Sequence, residues 1–151
     1  MKNVVICCSL EDENIELLKA LKGKSALEDA TLHFVHIFEI HVYTSDFSPY
    51  IFPSEDKYPE IEEASKKVMR TVAENVCTPS ELEKSKVECY FAYSPKQKIT
   101  EYLQEVGADL VVVASKQKHG IEGLFSSSFT EHLVKYSPCD VHILRAKEDQ
   151  K

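Results

Sequence analysis

The chain has 151 residues, of which 43% are hydrophobic and 28% charged, enough apolar material for one buried core. No Pro/Gly-rich linker divides it, so we interpret residues 1–151 as a single domain. The formal net charge of −7 argues against nucleic acid and anionic membrane surfaces as partners. No apolar run reaches the roughly 18 residues of a membrane-spanning helix, and no signal peptide is evident, so we expect a cytoplasmic protein.

The cysteines are odd in number and show neither C-x-x-C spacing nor a Cys/His ligand pattern. This argues against a disulfide framework and against a zinc site, so we expect reduced cysteines that are mostly small core residues. A redox role remains an alternative, and Cys8, near the end of a predicted strand, is the likeliest exception to a structural role. The five positions are Cys7, Cys8, Cys77, Cys89 and Cys139.

Apolar patterns in the first half predict strands that alternate with helices. Residues 4–8 and 32–38 are short apolar runs, typical of strands buried on both faces of a parallel sheet. The apolar spacing in residues 14–22 predicts a helix, with Gly23 at its C-terminal stop. Residues 59–76 keep apolar side chains four positions apart, which predicts the longest helix.

The second half continues the alternation. Ser94, Pro95 and Gln97 have the arrangement of an N-cap, an N1 proline and a capping-box residue, and Gly107 is placed to end the helix that they begin. The other predicted elements are a third strand at residues 87–91, a fourth strand at 109–114, a last helix at 128–136 and a fifth strand at 141–144.

This order of elements predicts an α/β fold, with a parallel sheet covered by helices on both faces. In such sheets ligands bind beyond the carboxyl ends of the strands, where the strand order reverses. The strand ends to consider are therefore Ser9, His36 with Ile37, Tyr93 and Ser115.

Residues 114–131 have the strand, loop and helix order of a phosphate-binding segment. Helix N-termini attract anions, and here Lys116 adds positive charge while residues 126–128 offer three hydroxyl groups. The alternative is that Ser128 is only an N-cap, with Glu131 three residues later completing a capping box. The sequence leaves both interpretations open.

Residues 39–58 interrupt the regular alternation. The segment is too aromatic for a disordered linker and too rich in proline for one regular element, so we expect an ordered excursion from the second strand. It can act as a lid over the crevice or a partner surface, or it can simply extend the core. Its aromatic residues and prolines are Tyr43, Phe47, Pro49, Tyr50, Phe52, Pro53 and Tyr58.

Several segments, in this order and spacing, resemble the universal stress protein family over almost the whole chain. They are the second strand at residues 32–37, the helix opening at 95–99, the strand at 108–113 and the closing segment at 128–144. The resemblance implies a three-layer α/β/α, Rossmann-like fold whose five-stranded, mostly parallel sheet has the order 3-2-1-4-5. It also implies a homodimer formed through the C-terminal strand from Val141 to Leu144.

Nucleotide-binding members of that family carry a G-x2-G-x9-G-[ST] loop and an aspartate at the tip of the first strand. Carried over by position, the three glycines fall on Ala114, Gln117 and Ser127, the hydroxyl residue on Ser128 and the aspartate on Ser9. Only the hydroxyl residue is kept. A Cβ at a glycine position hinders close approach to phosphate, and Ser9 lacks the charge of a carboxylate.

Three further positions bear on the resemblance. His36 and Ile37 match the strand-end pair whose main chain forms the family's adenine pocket. The glycine often found before the family's third helix falls on Tyr93, whose ring takes up space that a ligand needs. We therefore expect nucleotide affinity to be reduced or absent.

No catalytic constellation or metal cluster is evident, and an enzyme is not expected. We predict a dimeric regulatory or stress-response protein with weak or no ATP binding and no required cofactor, which acts through an unidentified protein partner. The alternative is a sensor that binds ATP or AMP through a variant phosphate loop, with slow ATP hydrolysis implied only by the family resemblance.

Overall fold

The computed structural model describes residues 2–44, 47–115 and 127–145. The strands are β1 (Lys2–Cys7), β2 (Ala30–Glu39), β3 (His41–Tyr43), β4 (Tyr50–Phe52), β5 (Lys86–Ala92), β6 (Leu110–Ser115) and β7 (Asp140–Arg145). The helices are α1 (Asp12–Lys19), α2 (Tyr58–Val76), α3 (Pro79–Lys84), α4 (Pro95–Val106) and α5 (Ser127–Tyr136).

The main sheet has the order β5-β2-β1-β6-β7, and all four neighbouring pairs are parallel. The predicted α/β fold class is confirmed. The predicted order 3-2-1-4-5 differs in numbering, because the prediction had no β3 and β4; counted within the sheet alone, the strands follow that order. As expected, β7 lies at a sheet edge.

Successive side chains of β1 enter two separate cores, which explains its unbroken apolar run. Val4 and Ile6 pack with α1 and α2 on one face, whereas Val5 and Cys7 pack with α4 and α5 on the other. The sheet is therefore covered on both faces, as the three-layer prediction required. Among the described residues, no helix is long and apolar enough to cross a membrane.

The helix boundaries follow local capping chemistry. Gly107 has φ 61° at the end of α4, a left-handed conformation that suits glycine, as predicted. Ser94 Oγ accepts a hydrogen bond from Gln97 N at 3.2 Å, so Ser94 is the predicted N-cap. The Gln97 side chain instead donates to Glu101, so the predicted capping box is only half formed.

Helix α1 spans Asp12–Lys19, earlier than the predicted residues 14–22. Gly23 does not end it directly, but takes φ 78° in the turn that follows. Helix α3 was not predicted, although Thr78 and Glu81 form a complete capping box at its start.

The aromatic excursion between β2 and α2 is ordered where it is described, and it contains the antiparallel hairpin of β3 and β4. We call its described residues, 41–44 and 47–52, the aromatic hairpin. Most of its large apolar side chains are exposed, so the alternative that this segment extends the core is wrong for the hairpin. The later part of the excursion does contact the domain, since the Tyr58 ring stacks on Phe91 of β5 with centroids 3.9 Å apart.

Candidate functional site at the carboxyl edge of the sheet

The crevice lies where the strand order reverses. β1 and β6 are neighbours, and from them the chain builds the sheet outward in opposite directions, to β2 and β5 on one side and to β7 on the other. In an open α/β sheet this is the expected ligand position. Some of the predicted site residues lie together at this edge of the sheet, and others lie elsewhere.

Ser9 lies immediately beyond β1 and is buried. Its backbone N–H donates to Asn14 Oδ1 at 2.9 Å, and its hydroxyl accepts a hydrogen bond from Glu11 N at 3.4 Å. These bonds hold Ser9 against the start of α1. A buried, neutral hydroxyl in this position is a poor replacement for a carboxylate that would bind two hydroxyl groups of a ligand.

His36 and Ile37 direct their side chains to opposite faces of the sheet. Ile37 packs in the core with α4 and α5, whereas the His36 ring contacts Phe38 with a centroid distance of 4.3 Å. His36 Nδ1 lies 2.6 Å from Cys8 O, to which it donates a hydrogen bond. Burial lowers the pKa of His36, and the bond to Cys8 opposes that effect. The His36 side chain therefore braces the end of β1 as a neutral group.

The main chain at Ile37 has a different orientation from that at His36. Val35 O accepts a hydrogen bond from Cys8 N at 2.7 Å, so the main chain of Val35 faces β1. Main-chain groups alternate in direction along a strand, so the N–H and C=O of Ile37 point to the same side as those of Val35. The pairing of β1 with β2 ends at Cys7 and Val35, so these Ile37 groups lie beyond the end of β1. Of the predicted adenine-pocket pair, Ile37 is the residue whose main chain borders the crevice.

An aromatic column leads from the His36 ring to the surface. Phe38 stacks on Phe91 with centroids 5.3 Å apart, and Phe91 stacks on Tyr58, the first residue of α2. Aromatic contacts of this kind add to the stabilisation from apolar burial. They fix the end of β2, which carries Glu39, against the neighbouring strand.

A cleft of about 390 Å³ opens at this edge, between the starts of α4 and α5. It combines a carboxylate, an ammonium group and hydroxyl groups, and two helix N-termini border it, which makes its α4–α5 side favourable for a small anion. The lining residues are Glu39, Tyr93, Ser94, Pro95, Lys96, Ser128 and Phe129. The sequence predicted Tyr93 and Ser128 here, but not Glu39, Lys96 or Phe129.

The remaining predicted residues occupy different environments. Ala114 lies within β6 and is fully buried. Ser127 is the first residue of α5, and Gln117 lies outside the described residues. Ser128 is therefore inside the first turn of α5 and not at its N-cap, and the position before Ser127 lies outside the described residues.

One turn below the cleft, α4 and α5 are joined by a side-chain hydrogen bond. Thr100 Oγ1 donates to Lys96 O at 3.0 Å and lies 2.9 Å from His132 Nε2. Because the hydroxyl hydrogen points to Lys96 O, His132 Nε2 is the donor to Thr100. This bond links α4 to α5 one turn after Lys96 and Ser128. It therefore helps to fix the distance between the two helices that border the cleft.

The cysteines and histidines do not form a second centre within the described part of the chain. No group of three potential metal ligands occurs there. All five cysteines are free, and Cys7 and Cys8 face opposite cores as predicted. Cys8, which we expected to be the likeliest exception among the structural cysteines, is buried, while Cys139 is partly exposed. Burial raises the pKa of Cys8 to about 12, which makes it a poor nucleophile at neutral pH.

Comparison with known proteins gives consistent matches along the whole chain. The model of the universal stress protein family matches residues 1–145. A protein of Staphylococcus epidermidis named for that family is 26% identical over 149 residues, covering 97% of this chain and 86% of the relative.

Solved structures show the same fold. A universal stress protein in complex with cAMP aligns with a TM-score of 0.57 and 17% identity, over 97% of this chain and 98% of its own. A family protein from Arabidopsis thaliana with AMP bound aligns with a TM-score of 0.56 and 13% identity, over 99% of this chain and 95% of its own. At these identities the likeness concerns the fold, and the two ligands belong to those proteins.

Proposed function

Because this chain belongs to the universal stress protein family, we propose that it is a regulatory stress-response protein that acts through protein contacts rather than catalysis. We further propose that it binds adenine nucleotides weakly or not at all, and that no cofactor is required. The observation that carries this proposal is the state of Ser9, which is buried and hydrogen-bonded to the start of α1.

Two other features support weak binding. The Tyr93 ring is exposed and lines the cleft, so it takes up space beside the helix N-termini. Glu39 brings a carboxylate to the same cleft, which repels a phosphate group. Lys96, which lines the same cleft, attracts a phosphate group and opposes this effect.

The second candidate is an adenine-nucleotide sensor. It is favoured by the cleft itself, in which Lys96 and Ser128 lie at two helix N-termini that can bind a phosphate. Family structures with cAMP and AMP support the same candidate. Any ATP hydrolysis by this candidate should be slow, because we identify no general base among the described residues of the cleft.

Isothermal titration with ATP, AMP and cAMP separates the two candidates. We expect dissociation constants weaker than about 100 μM, which corresponds to less than roughly 5.5 kcal/mol of binding free energy. GTP serves as the control ligand, because a main-chain adenine pocket should distinguish the two bases. Binding of ATP or AMP tighter than about 10 μM, with GTP excluded, would replace our proposal by the sensor.

We also propose a homodimer formed by antiparallel pairing of β7 with the β7 of a second copy. Support comes from the position of β7 at the sheet edge, where main-chain groups remain available for pairing. The Ile143→Lys variant should then sediment as a monomer, and Val134→Lys, on an exposed position of α5, is the matched control. Because Ile143 packs partly on the core, circular dichroism must show that the variant is folded.

A reducing, cytoplasmic location fits the five free cysteines. The net charge of −7 supports a protein partner over nucleic acid or an anionic membrane. Fractionation of the native host, with detection by antibody, tests the location.

A further inference from the structure

The aromatic hairpin has two chemically different faces, and both are solvent-exposed. The cross-strand pairs Tyr43 with Tyr50 and His41 with Phe52 share one face, while Val42 with Ile51 forms the other. The Tyr43 and Tyr50 rings stack with centroids 5.2 Å apart. A two-stranded hairpin without a covering layer is marginally stable in water, so exposure on both faces calls for a partner.

The aromatic face is large enough for weak association. Tyr43, Tyr50 and Phe52 are 43%, 57% and 60% exposed, and Phe47, between the two strands, is 98% exposed. If a fully exposed aromatic side chain offers about 200 Å², this face offers roughly 500 Å² per chain. Two copies placed face to face would bury about 1,000 Å², the lower limit for a specific interface. We therefore expect a weak association.

Charge indicates which partner fits. Residues 41–44 and 47–52 contain no lysine, arginine, aspartate or glutamate, in a chain with a net charge of −7, and Glu39, 3.8 Å from His41 Nδ1, is a single carboxylate beside them. A two-fold interface places each patch against its own copy, so a patch dominated by one charge would repel itself. A partner recognised by charge would require a charged patch, which this face lacks. Its apolar, nearly uncharged surface suits a second copy of the same chain.

The hairpin also has open strand edges. β3 pairs only with β4 in this two-stranded sheet, so each strand has an outer edge with unpaired main-chain groups. β7 forms one edge of the main sheet, and β1 and β6 lie between it and β2, the strand that leads into the hairpin.

From these observations we propose that the aromatic hairpin is a self-association surface, in which the aromatic face of one copy packs on that of a second copy. This surface is separate from the proposed β7 interface. A chain that uses both surfaces forms assemblies larger than a dimer, whereas loss of either surface leaves a dimer.

Sedimentation velocity between about 1 and 200 μM tests the proposal with two hairpin variants, Tyr50→Ser and Phe52→Ser. We expect each to weaken one association step at least about tenfold, since truncated aromatic anchors at the centre of an interface have large effects. Val134→Ser, at a similarly exposed position of α5, should leave that step unchanged. Ile143→Lys should leave it unchanged as well, so failure of the β7 interface and failure of the hairpin interface give different results.

A second measurement avoids reliance on substitutions. Hydrogen–deuterium exchange of the wild-type protein at about 2 and 200 μM should show protection of residues 41–52 that rises with concentration. Wild-type protein that stays monomeric throughout this range overturns the proposal. So does association that the hairpin variants leave intact, and so does hairpin protection that is independent of concentration, which would indicate a different occupant.

Discussion

The side-chain oxygen Asn14 Oδ1 accepts a hydrogen bond from the Ser9 backbone N–H at 2.9 Å, which joins the end of β1 to the first turn of α1. Asn14 is fully buried, and within the described part of the chain its Nδ2 has no hydrogen-bond partner. The protein thus retains a buried amide at the edge of its crevice at an energetic cost. The benefit is a fixed main chain at Ser9, where the candidate site begins.

Replacing Asn14 with alanine should destabilise the protein by about 1–3 kcal/mol. The substitution leaves the Ser9 N–H buried without an acceptor and opens a small cavity at α1. Urea denaturation followed by circular dichroism measures the change in the free energy of unfolding. Asn75→Ala, on the exposed surface of α2, is the control and should change it by less than about 0.5 kcal/mol. An Asn14 variant as stable as the wild type would show that the backbone at Ser9 is held by other contacts.

Stability should fall as the pH decreases below about 6.5. Burial lowers the pKa of His33 and His36 from the usual 6.5, so the unfolded chain takes up protons that the folded chain does not. The contribution of both residues is therefore complete above pH 6.5 and is lost as the pH falls through their folded pKa values. Urea denaturation at pH 7.5, 6.5 and 5.5 should show this slope.

The variant His36→Gln tests one source of that slope. It should reduce the pH dependence of the free energy of unfolding between pH 7.5 and 5.5, because the His36 pKa is lowered by burial. A wild-type protein of equal stability at pH 5.5 and 7.5 would contradict the assignment of these histidines as buried neutral groups.

The thiols should be reduced and slow to react in the folded protein. Burial raises the pKa of Cys8 to about 12 and that of Cys77 and Cys89 to about 11, so few thiolates form at pH 8. Titration with a thiol reagent should find five sulfhydryls in urea without reductant, but at most one fast-reacting group in the native state, Cys139. A mapped intramolecular disulfide would instead support the redox alternative.

The same pKa shifts predict an alkaline limit to stability. A thiol whose pKa is raised in the folded state stabilises the fold below the unfolded pKa of about 9, and this contribution is lost as the pH rises towards the folded pKa. Unfolding midpoints measured at pH 8 and 10 should therefore decrease with pH. Cys8→Ala should show a smaller decrease than the wild type.

The main sheet could be predicted because its strands are buried on both faces, which gives residues such as Val4 and Val5 no polar alternative. The aromatic hairpin could not, since no two-residue turn signal connects β3 and β4. The Thr78 capping box was present in the sequence and would have identified α3. The Ser9–Asn14 bond depends on how α1 packs against β1, which no local pattern specifies.

The structure also changes the physical reason for the weak nucleotide binding that we propose. The only non-glycine residue with positive φ among the described residues is Asp29, so Ala114 is not in a conformation that favours glycine. Restoring glycine at Ala114, Gln117 and Ser127 together with Ser9→Asp should improve ATP affinity, as the family resemblance implies. The gain should come from closer approach to phosphate and from the carboxylate, not from relief of strain at Ala114. Isothermal titration with ATP measures it, and an unchanged affinity would contradict the glycine-loop explanation.

The Tyr93 ring is the more direct obstacle, because it is exposed and lines the cleft beside Lys96 and Ser128. Tyr93 does not have positive φ, so its effect comes from the ring rather than from the backbone. We therefore expect Tyr93→Ala and Tyr93→Gly to raise the affinity for AMP by a similar factor of at least about three, which is roughly 0.7 kcal/mol. Val134→Ala, which shortens an exposed side chain of α5, is the control and should leave affinity unchanged. Isothermal titration of the four proteins with AMP decides between two roles for the ring. If Tyr93→Ala binds AMP more weakly than the wild type, the ring stacks on adenine instead of blocking it, and the cleft is a functional nucleotide site.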